Sequence, residues 1–157
     1  LADTLLMNQT ITKLPLNNRK IGDDDLKALA DALSINKTIK ELLLSYNQIG
    51  DNGMKVLADA LRVNKTLTHL NLFCNQLGDG GMKVLADALC VNKTLTHLNL
   101  YGNPIGDEGV KALAAALEAN KTITEVVLSV DALNQLAFID QLTDEGMQAR
   151  NRTRAPS

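Results

Sequence analysis

Aromatic side chains are scarce in this chain of 157 residues, where they make up 3% of the sequence and tryptophan is absent. The core must therefore consist mainly of Leu, Ala, Val and Ile, which indicates a thin and regular fold. There are only two cysteines and no Cys-x-x-Cys pair, which excludes a disulfide framework and a zinc-finger pattern. No apolar run approaches the roughly 20 residues that cross a bilayer, and no signal-peptide pattern opens the sequence.

An excess of positive charge is also missing. The net charge is −2 and the calculated isoelectric point is about 5.6, so the sequence lacks the basic footprint of a nucleic-acid-binding protein. Hydrophobic residues make up 45% and charged residues 22%, as in ordinary globular domains. We therefore expect neither a nucleic acid nor a membrane as partner.

A repeat of 28 residues runs through the sequence. The units 39–66 and 67–94 agree at 19 of 28 positions, and such periods are typical of solenoids. The sequence therefore predicts repeats over residues 1–128, with a partial first unit at 1–10, full units starting at 11, 39, 67 and 95, and a fifth strand from 123. Residues 129–157 depart from the register, although LTDEGM at 142–147 resembles the turn of a unit. We expect an irregular segment there, formed by a cap and a frayed basic tail.

Each unit predicts one short strand and one helix. In unit 67–94, Leu70 and Leu72 alternate with the period of a strand. Asp79 is predicted to cap the start of the helix, and Asn92 to end it in the left-handed conformation. The apolar face of the helix follows the spacing i, i+3, i+4, i+7 and consists of Met82, Leu85, Ala86 and Leu89.

One unit cannot bury its own apolar face, but a stack of units can. The strands then form a parallel sheet, and the stack curves with this sheet inside because helices are wider than strands. Three asparagines, Asn47, Asn75 and Asn103, follow the strands at the same position. We expect their side-chain amides to form a ladder that satisfies backbone groups in the turns.

The pattern Leu-x-x-Leu-x-Leu-x-x-Asn, which unit 67–94 carries at Leu67, Leu70, Leu72 and Asn75, resembles the leucine-rich repeat signature. With the IGDxG and KxLADAL segments, the 28-residue length is similar to the ribonuclease-inhibitor-like subfamily. That subfamily includes repeat regions of intracellular nucleotide-binding-domain receptors and the Ran GTPase-activating protein. The resemblance implies a right-handed α/β leucine-rich repeat solenoid, a curved arc with parallel strands on the concave face and helices on the convex face. It does not imply a particular partner.

Strand side chains between the core leucines are expected to form columns on the concave face. Three of the four aromatic residues, Tyr46, Phe73 and Tyr101, fall there, and aromatic residues dominate many binding sites. The units 39–66 and 67–94 differ at nine positions, five of which lie on this face. The predicted partner-binding residues are Glu41, Tyr46, His69, Asn71, Phe73, His97, Asn99 and Tyr101.

Other chemistry receives weaker support. His69 and His97 lie one repeat apart and could share a zinc ion, but a metal site usually needs three protein ligands, and duplication of the repeat also explains the pair. No metal and no cofactor is therefore predicted. No catalytic residues can be assembled from the pattern. The lysines that recur at positions 37, 65, 93 and 121 form a solvated edge that could at most attract an acidic partner.

We therefore predict a non-catalytic protein-recognition module, cytoplasmic or secreted by a bacterium and active in the host cytosol. One alternative is a regulator of an enzyme, either a GTPase activator or an inhibitor. Another is a self-assembling structural array, because exposed solenoid ends can self-associate.

Overall fold

A computed structural model of the chain describes residues 9–140, 149 and 152–156. In these ranges strands and helices alternate, as the repeat predicts. The strands are β1 (Lys13–Pro15), β2 (Glu41–Leu43), β3 (His69–Asn71), β4 (His97–Asn99), β5 (Glu125–Val127) and β6 (Thr153–Arg154). The helices are α1 (Asp23–Ile35), α2 (Asp51–Val63), α3 (Asp79–Val91), α4 (Asp107–Ala119) and α5 (Val130–Asp140).

The described strands form one open parallel sheet in the order β1 to β6. Neighbouring strands pair in a register of 28 residues, so that His69 lies opposite His97 and Leu70 opposite Leu98. Helices of successive units pack side by side along the other layer. These features confirm the predicted α/β leucine-rich repeat solenoid.

The core lies between the sheet and the helices. The central leucines of the strands, Leu42, Leu70 and Leu98, are buried, while the residues on either side of each are half-exposed. The predicted apolar face of α3 is buried as well. Strands lie about 4.8 Å apart and helices about 8–10 Å apart, so the layers match only if the stack curves with the sheet inside.

The ladder of turn asparagines is confirmed. Asn75 Nδ2 donates to Leu44 O at 2.9 Å and Leu72 O at 3.2 Å, while its Oδ1 accepts from Ile49 N at 3.1 Å. Asn47 and Asn103 make equivalent bonds. One buried side chain thus makes hydrogen bonds to backbone groups of two successive units. These groups lie in turns, where they have no partner in the strands or helices.

The predicted helix cap at Asp79 is wrong. The residue at the cap position of α3 is Gly78, and Asp79 is the first helical residue. Its carboxylate Oδ1 instead accepts from Gly106 N at 2.7 Å and Gly109 N at 2.9 Å in the next unit. The backbone amides at the start of α4, which have no partner within the helix, therefore donate to a carboxylate of the preceding unit. The start of a helix also favours a negative charge nearby.

The left-handed conformation predicted at Asn92 is also wrong, because this residue is extended, with φ −67° and ψ 131°. The position needs the hydrogen bonds of the asparagine side chain and not a left-handed backbone. Nδ2 donates to Leu61 O of the preceding unit at 2.8 Å, and Oδ1 accepts from Thr94 N and Leu95 N. Equivalent bonds at Asn64 and Asn120 build a second ladder, the helix-end asparagine ladder.

The C-terminal region differs from the predicted irregular segment and frayed tail. Residues 130–140 form α5, and Thr153–Arg154 form β6, which pairs with β5. Leu128 N donates to Arg154 O at 2.9 Å, so β6 satisfies backbone groups that β5 would otherwise expose. Val127 is buried, whereas Val130 is 60% exposed.

Two predictions concern residues that the structure leaves out. The partial first unit at 1–10 lies almost wholly outside the described residues, and so does the turn-like segment 142–147. The domain boundaries and the capping role of the C-terminal segment therefore stay predictions. Among the described residues, none of the helices combines the length and the hydrophobicity of a membrane-spanning segment.

Candidate functional site

The strands place one row of side chains on each side of the buried central leucines. In β3 these are His69 and Asn71, and in β4 they are His97 and Asn99, because alternate residues of a strand share a face. The parallel pairing repeats the arrangement from strand to strand. The concave face thus consists of these two rows and of the aromatic side chains that follow the strands.

The two histidines form a stacked pair at the centre of the concave face. Their ring centroids lie 4.1 Å apart, and their planes differ by 7°. His69 Nδ1 lies 2.9 Å from Thr68 Oγ1, whose hydroxyl donates to Lys40 O at 3.1 Å. That hydroxyl has a single hydrogen, and with this hydrogen on Lys40 O the imidazole donates from Nδ1, so that Nε2 of His69 is an acceptor.

His97 repeats this arrangement one strand further. Its Nδ1 lies 2.8 Å from Thr96 Oγ1, and the Thr96 hydroxyl donates to Thr68 O at 3.1 Å. The parallel rings argue against the zinc site that the sequence left as an alternative. The lone pair of each Nε2 lies in its own ring plane, and two parallel planes do not converge on one ion. The described residues contain no group of three His, Cys, Asp or Glu side chains suited to a metal.

Charged side chains pair off at both ends of the histidine row. Glu41 lies 3.7 Å from Lys13 Nζ, and Glu125 Oε1 accepts from Arg154 Nη2 at 3.0 Å. The hydrogen bond from Arg154 lowers the pKa of Glu125, and the positive charge of Arg154 acts in the same direction, as do His97 and His69 when they are protonated, against partial desolvation. The predicted residue Glu41 is therefore engaged within the chain.

The aromatic residues form a continuous row beside the strands. Phe73 stacks on Tyr101 with ring centroids 5.4 Å apart, and Tyr46 meets Phe73 edge to face at 5.0 Å. Phe73 is half-buried and Tyr46 is 57% exposed. Tyr46 has a left-handed backbone with φ 56°, which is costly for a bulky residue.

The asparagines between the histidines and the aromatic row are held by the backbone. Asn71 Oδ1 accepts from Phe73 N at 2.9 Å, and Asn99 Oδ1 accepts from Tyr101 N at 3.1 Å. Within the described part of the chain, neither amide Nδ2 has a protein partner. The concave face therefore presents two amide donors beside two imidazole acceptors.

All eight residues predicted for partner binding thus lie on or beside the strands of this face. The chain also has a shallow depression of about 210 Å³ over the strand rows, lined by residues that include the histidines, Asn71 and Asn99. Sequence analysis missed Arg154, which also lines it, because this residue lies outside the 28-residue register. Ser45, which occupies the position of Phe73 in the preceding unit, is buried.

The comparison with protein-family models finds leucine-rich repeats in this chain. Residues 36–58, 63–86 and 91–114 match the family described as Leucine Rich repeat. These three matches include the strands β2, β3 and β4 and the first part of the helix that follows each strand. The comparison with curated proteins gives no match.

Solved structures of similar fold include two that span nearly the whole chain. The structure titled "Leiomodin-1 Actin-Binding Site 2 (ABS2)" is 24% identical with a TM-score of 0.79, covering 93% of this chain and 87% of that one. The tropomodulin C-terminal domain of Caenorhabditis elegans is 17% identical with a TM-score of 0.74, covering 94% of this chain and 91% of that one. At these identities the likeness concerns the fold.

Proposed function

We propose that this chain is a non-catalytic recognition module that binds a protein partner on its concave face. The observation that carries the proposal is the continuous surface formed by the row of three aromatic rings and the stacked histidine pair. Tyrosine and phenylalanine bury large areas at little entropic cost, and they are frequent at the energetic centre of protein interfaces. Between the two rows, Asn71 and Asn99 offer amide hydrogens that a partner can accept.

The rigidity of this face favours tight docking. Asn71 and Asn99 are fixed by bonds to backbone amides, and both histidines by bonds to threonine hydroxyls. A surface that is ordered before binding loses less entropy when the partner arrives. Specificity would then come from the strand side chains, because the buried leucines and ladder asparagines are common to the three central units that start at 39, 67 and 95.

The comparisons suggest where to look for partners. One similar structure is titled as an actin-binding site, so actin is the first protein to test. The subfamily that the repeat length suggests, the ribonuclease-inhibitor-like one, is part of this proposal. So is a location in the cytoplasm, or in a host cytosol for a secreted effector, which fits the two free thiols of Cys74 and Cys90.

The test replaces Phe73 and Tyr101 by alanine together. Neither side chain belongs to the buried core, so we expect the melting temperature to fall by only a few degrees.

The wild-type chain is used to capture partners from lysate and to titrate purified actin, and the double variant should bind the identified protein at least tenfold more weakly. A matched control, Lys55→Ala with Lys83→Ala, changes two exposed helix residues and should bind as the wild type does. Equal affinity of wild type and double variant would contradict the proposal.

A further inference from the structure

A second surface, independent of the concave face, lies where the helices end. The last residues of α1, α2 and α3 are large, apolar and exposed, namely Ile35 (60%), Val63 (53%) and Val91 (46%). Two residues later each unit carries an exposed lysine. We call this the helix-end surface; its apolar row is Ile35, Val63 and Val91, and its lysine row is Lys37, Lys65, Lys93 and Lys121.

The backbone under this surface is fixed. The residue between each apolar side chain and its lysine is a buried member of the helix-end asparagine ladder. Asn64, for example, donates to Leu33 O of the preceding unit at 2.8 Å and accepts from Thr66 N and Leu67 N. The apolar side chains and the lysines are therefore held at a constant spacing from unit to unit.

A row of the opposite charge runs along the other side of the apolar residues. Asp31, Asp59 and Asp87 are exposed and lie four residues before Ile35, Val63 and Val91, which places them on the same helix face. Within the described ranges these aspartates have no ion-pair partner. The lysines have none either, although Lys93 Nζ donates to Cys90 O at 3.0 Å. The surface thus presents an apolar centre between a negative flank and a positive flank.

We propose that the helix-end surface binds an amphipathic α-helix of a partner protein, lying across the units. Helices of the array are about 8–10 Å apart, and one heptad of an α-helix advances about 10.5 Å. A partner helix with an apolar residue in each heptad therefore meets Ile35, Val63 and Val91 in turn. Its acidic residues face the lysine row, and its basic residues face the aspartate row.

The charges favour a helix over a membrane. An anionic bilayer would attract the lysine row, but its flat surface would also meet the aspartates one helical turn away. The apolar row also lacks the aromatic side chains that suit the membrane interface. An amphipathic partner helix avoids the repulsion from the aspartates, because it can carry acidic residues on the flank that faces the lysines and basic residues on the other.

The experiment selects helices by panning a displayed peptide library against the full chain. Each peptide has 21 residues, with leucine fixed at heptad spacing and both flanks randomised. We expect enriched peptides to carry acidic residues on one flank and basic residues on the other. In fluorescence titrations, Val63→Asp with Val91→Asp should weaken the enriched peptides at least tenfold, and so should Lys65→Glu with Lys93→Glu.

Two variants serve as controls. Arg19→Glu with Lys20→Glu makes the same charge change in the exposed turn before α1, and Phe73→Ala with Tyr101→Ala alters only the concave face. Both should keep the affinity within twofold. The proposal is overturned if no peptide is enriched, if the Val63→Asp/Val91→Asp variant binds the peptides as the wild type does, or if the chain binds phosphatidylserine vesicles in preference to the peptides.

Discussion

His69 and His97 lie in register on adjacent strands with their rings parallel and 4.1 Å apart. Each ring is held by the hydroxyl of the preceding threonine, and each threonine in turn donates to a backbone carbonyl of the strand before it. The stack is therefore built into the sheet. It gives the concave face two acceptors of defined direction at its centre.

This chain of bonds predicts the tautomer of both rings. In the neutral state the proton should lie on Nδ1, which is the less common tautomer of a free imidazole, and long-range ¹⁵N spectra measure this directly. Thr68→Val removes the acceptor and should move His69 toward the Nε2-protonated form while His97 keeps its tautomer. Thr124→Val, whose hydroxyl also donates to a strand carbonyl but neighbours no histidine, is the control. A predominant Nε2–H form in the wild type would contradict the prediction.

A second prediction concerns Glu125, whose pKa is lowered in the folded chain, chiefly by the hydrogen bond from Arg154. Arg154→Gln should raise this pKa toward its ordinary value, as measured by ¹³C titration of the carboxyl group. A lowered folded pKa contributes stability above the pKa of the unfolded state, and this contribution disappears as the pH falls through the folded pKa. Arg154→Gln should therefore destabilise the fold more at neutral pH than in acid, whereas Lys55→Gln should show no such difference.

The turn asparagine ladder predicts a large effect of a small substitution. Asn75→Ala leaves Ile49 N without a partner and removes one of the two amide donors to Leu44 O and to Leu72 O. A buried polar group without a partner costs about 1–3 kcal/mol, and each lost hydrogen bond about 1 kcal/mol. We expect a loss of about 3 kcal/mol in the free energy of unfolding, measured by urea denaturation. Gln76→Ala changes the exposed neighbour and should stay within about 0.5 kcal/mol of the wild type. A similar small loss for Asn75→Ala would show that the ladder contributes little.

The close approach of neighbouring helices predicts that Gly81 cannot be enlarged. A Cβ at this position would lie 2.6 Å from Asp51 Oδ1 and 3.2 Å from Asp51 Cα. Gly81→Ala should therefore cost about 1–3 kcal/mol of stability, despite the better helix propensity of alanine. In the Asp51→Ala background the same change should cost less, since part of the obstacle is gone. Asn52→Ala, at an exposed position of α2, is the control and should be tolerated.

The repeat made most of the fold predictable. Once two units align, the strand, the helix and the buried apolar residues can be placed in every unit, because the surroundings of one unit are nearly those of the next. The turn asparagines follow in the same way for the units that start at 39, 67 and 95. The eight predicted residues of the concave face lie together for the same reason. A periodic pattern does not show which hydrogen-bond partner each side chain has. The pattern predicts that Asp79 and Asn92 cap their own helix, but both side chains bond to neighbouring units.

The features outside the period were not predictable. Arg154 reaches Glu125 through β6, and nothing in the 28-residue register relates these two positions. The exposure of Val63, by contrast, is periodic, because Ile35 and Val91 occupy the same position of their units and are exposed as well.

The side chains of one unit make hydrogen bonds to the backbone of both neighbouring units. Asn47 accepts from Arg19 N and Ile21 N on one side, and Asp51 accepts from Gly78 N on the other. Damage to a single interior unit therefore loosens two junctions at once.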